Sequence, residues 1–349
     1  LHYSLAPWHS GEEAMTTSMP FRLSVLGPVA TANDSVLVVQ AEFRECRVVE
    51  RLPFSASNRE AFQQEINALT GFIEAGAYPF DLPKLRILGM RLFQFLLTGK
   101  VNSLYQSAIG ASSGLLPVHL WVENYNLATW PWEYLCDPNT ELFLCRERYP
   151  VIRGIFTPRF RTDLPPFGEK LRVLMLLGVL PDSSGVTPRD EEEWIRKVFA
   201  SRLSPDKVEL VLFQCDDPQK LHEHLLDHKY DILHYFGHAK FDPLQQEGYL
   251  HLERAQLDPV RFFASDFAGM ISQSGESIRL VFLNGCETGR GSTEHAPWHS
   301  AIAAAVLARG VPAVIATQFS MPDISAHFLS SMIYAALLSG KTVVDAVSD

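Results

Sequence analysis

The sequence predicts an α/β protein: a parallel β-sheet covered by helices on both faces, preceded by a smaller α/β lobe. After residue 170, short runs that are apolar throughout alternate with helical patterns, which is typical of parallel strands buried on both faces. A stretch rich in Pro and Gly at residues 157–169 separates this regular part from the preceding lobe. The length of 349 residues also suits about two domains.

The N-terminal lobe is predicted to span residues 21–156, after a polar, non-periodic tail at residues 1–20. Residues 58–72 carry apolar side chains at helical spacing, and Asn58 is in position to cap that helix. Trp130 and Trp132 are expected to be structural residues that tie the two lobes together. The other predicted elements are a β-rich stretch at 21–49, a helix at 82–97 and short strands at 115–122, 142–144 and 151–152.

The C-terminal lobe, residues 170–349, follows the linker at residues 157–169. Its first helix begins with four acidic residues at 190–193, where the helix dipole favours negative charge. Residues 240–276 show no sustained periodicity and are predicted to be irregular. The predicted strands are 170–177, 208–213, 231–236, 278–283 and 313–316, and the predicted helices are 189–199, 218–228, 299–308 and 323–338.

Composition excludes several classes of protein. The 30 basic and 40 acidic residues give a net charge of −10, which argues against a mainly electrostatic nucleic-acid or membrane binder. The five cysteines include no Cys-x-x-Cys pair, so neither a disulfide framework nor a zinc site is expected, and a reducing, cytoplasmic location fits best. We see no secretory signal and no membrane-spanning run. The chain starts at Leu1 and stops after an apolar periodic run, so we expect a piece of a longer protein.

Two predicted strands end in residues that suggest chemistry. One runs into Gly237-His238-Ala239 and the other into Asn284-Gly285-Cys286, and the carboxyl ends of parallel strands gather at one sheet edge. A histidine there can accept the thiol proton, and the thiolate is a nucleophile. Small neighbours let a substrate backbone approach, and free amides can bind a developing oxyanion.

The spacing of this pair supports the same interpretation. Cys286 follows His238 by 48 residues, and caspases place their histidine about 50 residues before the nucleophile. Taken alone, Cys286 would be interpreted as a small buried hydrophobe. The order, the spacing and the adjacent glycines together favour a His-Cys dyad, with Gly237, Ala239 and Gly285 supplying backbone groups for the oxyanion.

Four parts of the chain carry a resemblance to a known family. HYFGH at 234–238 is similar to its catalytic-histidine strand, and LNGCETG at 283–289 to its Leu-Asn-Ala-Cys-Glu-Thr-Gly element. GVPAVI at 310–315, followed by MPD at 321–323, is similar to the next strand and turn, and WPWEYLCDP at 130–138 to an element of the N-terminal half. The sequence thus resembles the CHAT domain, a caspase-like cysteine peptidase family of clan CD related to separase and often found beside tetratricopeptide repeats.

The resemblance implies a caspase-like parallel-sheet sandwich with a degenerate pseudo-peptidase lobe at its N-terminus. It implies an endopeptidase that cleaves a specific protein substrate, uses no metal or other cofactor, and is switched on by a sensor in prokaryotic antiviral or cell-death signalling. That sensor would be a domain or partner protein outside this chain. Two positions depart from the family pattern: Ala239 replaces a usual Gly, and Gly285 replaces a usual Ala. Neither change removes a catalytic atom.

Three residues are candidates for binding substrate beside Cys286. Asn284 precedes the nucleophile, Gln318 follows the next strand, and Asp323 lies on the turn after it. Residues 316–327 contain no Lys or Arg, so an anionic pocket that favours Arg or Lys before the scissile bond is expected. The alternative for Asp323 is a helix cap, and the two roles can coexist.

Other features carry weaker signals. SGKT at 339–342 looks like the end of a phosphate-binding loop, but its first Gly is missing and a helix precedes it, so a helix end is expected. His234 lies four residues before His238 and is expected to support it. The remaining histidines are interpreted as a solvated helix face for His222, His224 and His228, and as loop or helix-start residues for His295 and His299.

Two functions other than proteolysis stay open. One is a catalytically silent α/β module that binds a protein partner through its strand ends, and the other is an acyl- or thiol-transferase that uses the same cysteine. An endopeptidase of the cytoplasm must also be kept latent, so we expect residues 240–276 and the loop at 290–298 to be mobile or misplaced in the isolated chain.

Overall fold

A computed structural model describes residues 19–30, 35–74, 82–155, 168–178, 188–252, 260–274, 277–285, 301–317 and 323–348. The chain divides into two compact units between Phe156 and Thr157. The predicted tail lies outside the described residues as far as residue 18, and so does most of the predicted linker. Within the described ranges, no helix has the length and hydropathy needed to cross a membrane.

The N-terminal unit contains a mixed five-stranded sheet in the order β3-β2-β1-β4-β5. β1, β2 and β3 form an antiparallel meander, and β4 and β5 extend it with parallel pairings. Alternate residues of β1 and β2 are buried, which is the pattern of strands with one face on a core. The strands are β1 (Phe21–Ala30), β2 (Ser35–Phe43), β3 (Cys46–Pro53), β4 (Val118–Val122) and β5 (Val151–Gly154).

The helices of this unit correct two predictions. α1 begins two residues earlier than expected, because the Ser55 hydroxyl accepts the Asn58 amide and Asn58 therefore lies inside the helix. α3 was not predicted, although its buried residues recur at helical spacing from Val101 to Ala108. The helices are α1 (Ala56–Glu74), α2 (Leu82–Leu96), α3 (Gly99–Ala111) and α4 (Tyr125–Ala128).

Two aromatic residues and one short segment complete the N-terminal unit. Trp130 and Trp132 are fully buried, with their rings stacked at a centroid distance of 5.6 Å, and Trp132 Nε1 donates to the Leu127 carbonyl. They are therefore core residues of this unit. The predicted strand at 142–144 is wrong: the structure has a single bridge between Cys136 and Phe143, followed by a 3-10 turn.

The C-terminal unit is built on a five-stranded sheet in the order β13-β12-β8-β6-β7, with every pairing parallel. Leu174 and Leu176 pack into the core on one face, and Val173 and Met175 into the core on the other. This confirms the predicted α/β class with a parallel sheet. The strands are β6 (Leu171–Leu177), β7 (Val208–Gln214), β8 (Ile232–Phe236), β12 (Leu280–Asn284) and β13 (Ala313–Ala316).

Helices cover both faces of this sheet. α5 and α9 contribute to the core on one face, where the Phe199 and Tyr334 rings meet edge to face at 5.3 Å. α6, α7 and α8 contribute to the core on the other face. The helices are α5 (Pro188–Arg202), α6 (Pro218–Asp227), α7 (Ala264–Ser274), α8 (Ile302–Ala308), α9 (Asp323–Leu338) and α10 (Val343–Ser348).

The prediction that residues 240–276 are irregular is wrong. They contribute to a three-stranded antiparallel sheet in the order β11-β10-β9, and they include all of α7. Its strands are β9 (Ala239–Asp242), β10 (Glu247–Leu252) and β11 (Val260–Phe263). Ala239, Leu250 and Phe262 point into the core, and each has a polar or charged residue beside it in the chain. The strands are four to six residues long, too short for the alternation to be evident in the sequence.

Candidate active site

The parallel pairing of β8 with β12 brings the two predicted catalytic segments to one edge of the sheet. Phe236, the last residue of β8, lies opposite Asn284, the last residue of β12. The Gly237 amide donates to the Asn284 carbonyl at 3.4 Å. His238 therefore follows one strand by two residues, as Cys286 follows the other in sequence. Cys286 itself lies outside the described residues.

The backbone at His238 is held by two donors. The Tyr235 hydroxyl donates to the His238 carbonyl at 2.5 Å, and the His251 amide donates to the same oxygen at 2.9 Å. Tyr235 is fully buried, and burial raises its pKa, so its hydroxyl keeps the proton that it donates. These contacts fix the main chain that carries the candidate catalytic histidine.

Gly237 is required by close packing. A Cβ on Gly237 would lie 2.7 Å from the Gly178 Cα and 2.8 Å from the Tyr235 hydroxyl. Gly178 follows β6, and its amide donates to the Phe236 carbonyl at 2.8 Å. The ends of two strands thus approach too closely for any larger residue. Two residues after Gly237, Ala239 turns its methyl group into the core.

A second histidine, His251 on β10, lies close to His238. The His238 and His251 rings lie 6.5 Å apart, and His251 pairs with Arg261 on β11. The pKa of His251 is lowered to about 4, first by burial and then by the charges of Lys240, His238 and Arg261. His251 is therefore a neutral neighbour of His238 at physiological pH. Sequence reasoning missed it because it lies in the segment predicted to be irregular.

Asn284, a predicted substrate-binding residue, is buried, and its amide has internal partners. Nδ2 donates to Glu191 Oε1 at 3.2 Å and to Ser330 Oγ at 2.9 Å. On the following residue, the Gly285 carbonyl accepts from the Thr317 hydroxyl at 2.6 Å. The strand end that leads to Cys286 is thus tied to neighbouring elements. A contact between Asn284 and substrate stays a prediction.

The other two predicted substrate-binding residues are less fully described. Asp323 is the first residue of α9, and Gln318 lies outside the described residues, as do His295 and His299. Their roles at the active site stay predictions.

The structure assigns His234 partners other than His238. Its Nδ1 lies 3.1 Å from the Tyr334 hydroxyl and its Nε2 lies 3.6 Å from Glu191 Oε1. Burial lowers the pKa of His234 to about 3, so the ring is neutral at physiological pH. A hydrogen on Nε2 would point toward Glu191 and leave Nδ1 to accept from Tyr334. The expectation that His234 supports His238 directly is therefore corrected.

Two further sequence features have structural roles. At residues 339–342 the Gly340 amide donates to the Leu337 carbonyl with Gly340 at φ 83°, which is a helix C-terminus and not a phosphate-binding loop. His224 Nε2 contacts the Tyr230 hydroxyl at 2.7 Å, and the His224 and His228 rings stack at 4.5 Å. Among the described residues, no cluster of His, Cys, Asp and Glu is arranged to hold a metal ion.

Comparison with protein families identifies a match over most of the chain. The family model described as the CHAT domain matches residues 85–349, which include β8, β12 and the segment with Cys286. No curated protein matches the chain. Together with the parallel sheet, the match establishes what the segments at 234–238 and 283–289 indicated. The chain belongs to the CHAT domain family, the caspase-like relatives of the clan CD cysteine peptidases.

Proposed function

We propose that this protein is a cysteine endopeptidase in which Cys286 is the nucleophile and His238 transfers the protons. The observation that carries the proposal is the register of β8 and β12, which ends both strands at Phe236 and Asn284 on one sheet edge. The two candidate residues follow those positions by the same number of residues in sequence. The family assignment supports the proposal because the CHAT domain is related to cysteine peptidases.

In the proposed mechanism, His238 takes the proton of the Cys286 thiol and the thiolate attacks the scissile carbonyl. The oxyanion accepts hydrogen bonds from backbone amides near Ala239 and Cys286. The amide of Gly237 itself, which the sequence also suggested for this role, already donates to the Asn284 carbonyl. The amine leaves with the proton from His238, and a thioester remains on the cysteine. Water, activated by the same histidine, hydrolyses the thioester and restores the thiol. No step needs a metal or an organic cofactor.

The biological setting is proposed from the family. We expect a specific protein substrate and an activating sensor domain or partner protein, in the cytoplasm of a prokaryote and in antiviral or cell-death signalling. Nucleic acid is not expected as a direct ligand, because the net charge is −10 and neutralising phosphates needs clustered positive charge.

The dyad is tested by single substitutions. We expect Cys286→Ala and His238→Ala each to lower cleavage by at least about a thousandfold, because residues that act as one catalytic unit are each essential. Denaturation midpoints should stay near that of the parent, since His238 is only half-buried at a strand end. Replacing the exposed Cys46 or Cys145 by Ala provides the matched control and should leave cleavage unchanged.

The same measurements separate the two alternatives. A silent interaction module would not react with an electrophilic peptide at Cys286, because it has no activated thiolate. A transferase would label, but its product would be an acylated acceptor and not a cleaved protein. Normal cleavage by Cys286→Ala would show that the mechanism is wrong.

A further inference from the structure

One carboxylic acid in the C-terminal unit is completely shielded from solvent. Glu191 has an exposure of 0% although it belongs to the acidic run at the start of α5. The next two acids of that run are at the surface, in ion pairs four residues along the helix, Glu192 with Arg196 and Glu193 with Lys197. Burying a carboxylate is unfavourable unless nearby donors compensate it. Glu191 therefore needs partners that its neighbours do not.

Three nitrogen groups from three different elements surround the Glu191 carboxylate. Asn284 Nδ2, at the end of β12, donates to Oε1 at 3.2 Å, and His234 Nε2, on β8, lies 3.6 Å from the same oxygen. His327 Nδ1, on α9, is hydrogen-bonded to Oε2. Burial lowers the pKa of His327, while the charge of Asp190 acts in the opposite direction. A neutral His327 can donate its Nδ1 hydrogen to Glu191.

The cluster ends at the strand that precedes the nucleophile. Asn284 also donates to Ser330 on α9, and it occupies the last position of β12, two residues before Cys286 in sequence. Removing the Glu191 carboxylate would leave the Asn284 amide and the His327 imidazole each short of one acceptor in a buried site. Buried groups that lose their partners reorient or drive local rearrangement. The element that would move is the end of β12.

A second buried carboxylate provides an internal comparison. Asp231 lies at the opposite edge of the same sheet, just before β8, and accepts from the Arg172 amide at 2.9 Å. Its other neighbour is the Arg279 guanidinium, with Nε 3.8 Å from Oδ1. Asp231 thus stabilises the amino ends of these strands, whereas Glu191 contacts their carboxyl ends. Of these two carboxylates, Glu191 is the one placed to affect the candidate active site.

We propose that Glu191 is a positioning residue for the nucleophile, acting through Asn284 at the end of β12, two residues before Cys286 in sequence. The inference rests on the proposed function, since it assigns Glu191 a role in that same site. Misplacement of a reacting group by about 1 Å is enough to slow a reaction about a hundredfold. Loss of the Glu191 carboxylate should therefore slow the reactions of Cys286 even in a variant that still folds.

The test compares Glu191→Ala and Glu191→Gln with Asp231→Asn. For each protein, alkylation of Cys286 by iodoacetamide is followed by peptide mass spectrometry from pH 5 to 9, alongside peptide turnover and chemical denaturation. We expect Glu191→Ala to lower kcat about a hundredfold with KM within about twofold, and to slow alkylation about tenfold at pH 7. Glu191→Gln, which can still accept from Asn284, should recover part of both rates and keeps the test valid if the alanine variant does not fold.

The control should lose stability without losing reactivity. Asp231→Asn is expected to lower the denaturation midpoint while alkylation and kcat stay within about twofold of the parent. Wild-type alkylation at pH 7 by both folded Glu191 variants would overturn the positioning role, whatever the protein cleaves. If Cys286 alkylation depends on Glu191 but the parent transfers an acyl group to an acceptor and cleaves no peptide, the positioning role stands and the peptidase function is wrong.

Discussion

A single residue type serves two purposes within one turn of α5. Glu192 and Glu193 form ion pairs at the surface, near the helix N-terminus where the dipole favours negative charge. Glu191 instead lies on the inward stripe, four residues before Ile195 and eight before Phe199, both of which are core residues. That spacing was a usable signal, because a charge on an apolar stripe must find partners when the helix packs.

The substrate preference is a prediction about single residues. Asp323 is the only full charge in residues 316–327 when His327 is neutral, and burial lowers the pKa of His327, which supports that condition. We therefore expect cleavage after Arg or Lys, and Asp323→Asn should reduce this preference by roughly tenfold to a hundredfold, the value of a hydrogen bond to a charged group. A peptide library varied at the residue before the cut measures both.

Two results of the library experiment would contradict these expectations in different ways. Preference for Asp or Glu before the scissile bond would contradict an anionic pocket. An apolar preference that Asp323→Asn leaves unchanged would reduce Asp323 to the cap of α9. Asparagine caps helices about as well as aspartate does, so the stability of the Asp323→Asn variant should not change much in either case.

Among the elements, β8 shows why a buried strand can carry polar residues. All five of its residues are buried, with His234 facing the α5 and α9 side and Tyr235 facing the other core. Tyr235 donates to main-chain carbonyls, and His234 is stacked on Phe282 at 4.7 Å with its nitrogens near Tyr334 and Glu191. The Tyr235 hydroxyl and the Nδ1 atom of His234 are tolerated in this strand because each has a hydrogen-bond partner, while His234 Nε2 has only the Glu191 carboxylate 3.6 Å away.

This environment predicts acid sensitivity. The pKa of His234 is about 3 in the folded protein against the ordinary 6.5, so the unfolded chain binds the proton more tightly. Its contribution to stability is complete above about pH 6.5 and is lost as the pH falls toward 3. The free energy of unfolding of the wild-type protein should fall as the pH is lowered. We expect His234→Phe to reduce the slope of this fall by roughly 1.4 kcal/mol per pH unit between pH 4 and 6. Urea unfolding at a series of pH values measures this slope.

The control for this prediction is a histidine outside the core. Replacing the exposed His228 by Gln should leave the slope of the wild-type protein unchanged. His234→Phe should also lower stability at pH 7 by about 1–3 kcal/mol, because Tyr334 loses its acceptor in a buried site. An unaltered slope in His234→Phe would show that another group dominates the acid response.

In the C-terminal unit, the sheet topology brings the segments that precede the candidate catalytic residues to the carboxyl ends of neighbouring strands. The sheet order places β8 beside β12 although 43 residues separate the end of one from the start of the other, and those residues include β9, β10, β11 and α7. Within the small antiparallel sheet, the His251 amide donates a hydrogen bond to the His238 carbonyl. Where the structure describes it, the segment that the sequence analysis expected to be mobile is built into the protein core.

Latency is a prediction about the molecule as a whole. The described elements between residues 240 and 276 are packed into the protein, so they give no structural reason for a latent state. The loop at 290–298 lies outside the described residues. We still expect the isolated chain to be slow, with kcat/KM below the usual enzyme range of about 10⁴–10⁸ M⁻¹s⁻¹. Turnover of a substrate found by library profiling, measured on the purified chain, gives this value. A value within the usual range, with no partner or ligand added, would contradict a latent state.

The fold class and the two segments that carry the proposed dyad could be predicted from the amino-acid sequence. Alternating apolar runs and helical patterns predicted the parallel sheet, since burial on both faces imposes an apolar residue at nearly every strand position. The motifs around His238 and Cys286 were recognisable because strand, glycine and reactive residue are contiguous in the chain. Such signals are local, and the residues that produce them lie within a few positions of each other.

The polar residues that support the site became evident from the packing of distant elements. Glu191 contacts His327 across 136 residues of sequence and Asn284 across 93, and the His251 amide reaches the His238 carbonyl through the pairing of β9 and β10. No local pattern assigns Glu191 its partners, because its burial depends on three other elements packing around it. A buried carboxylate is stable only where those elements supply donors, and their positions are set by the packed sheet as a whole.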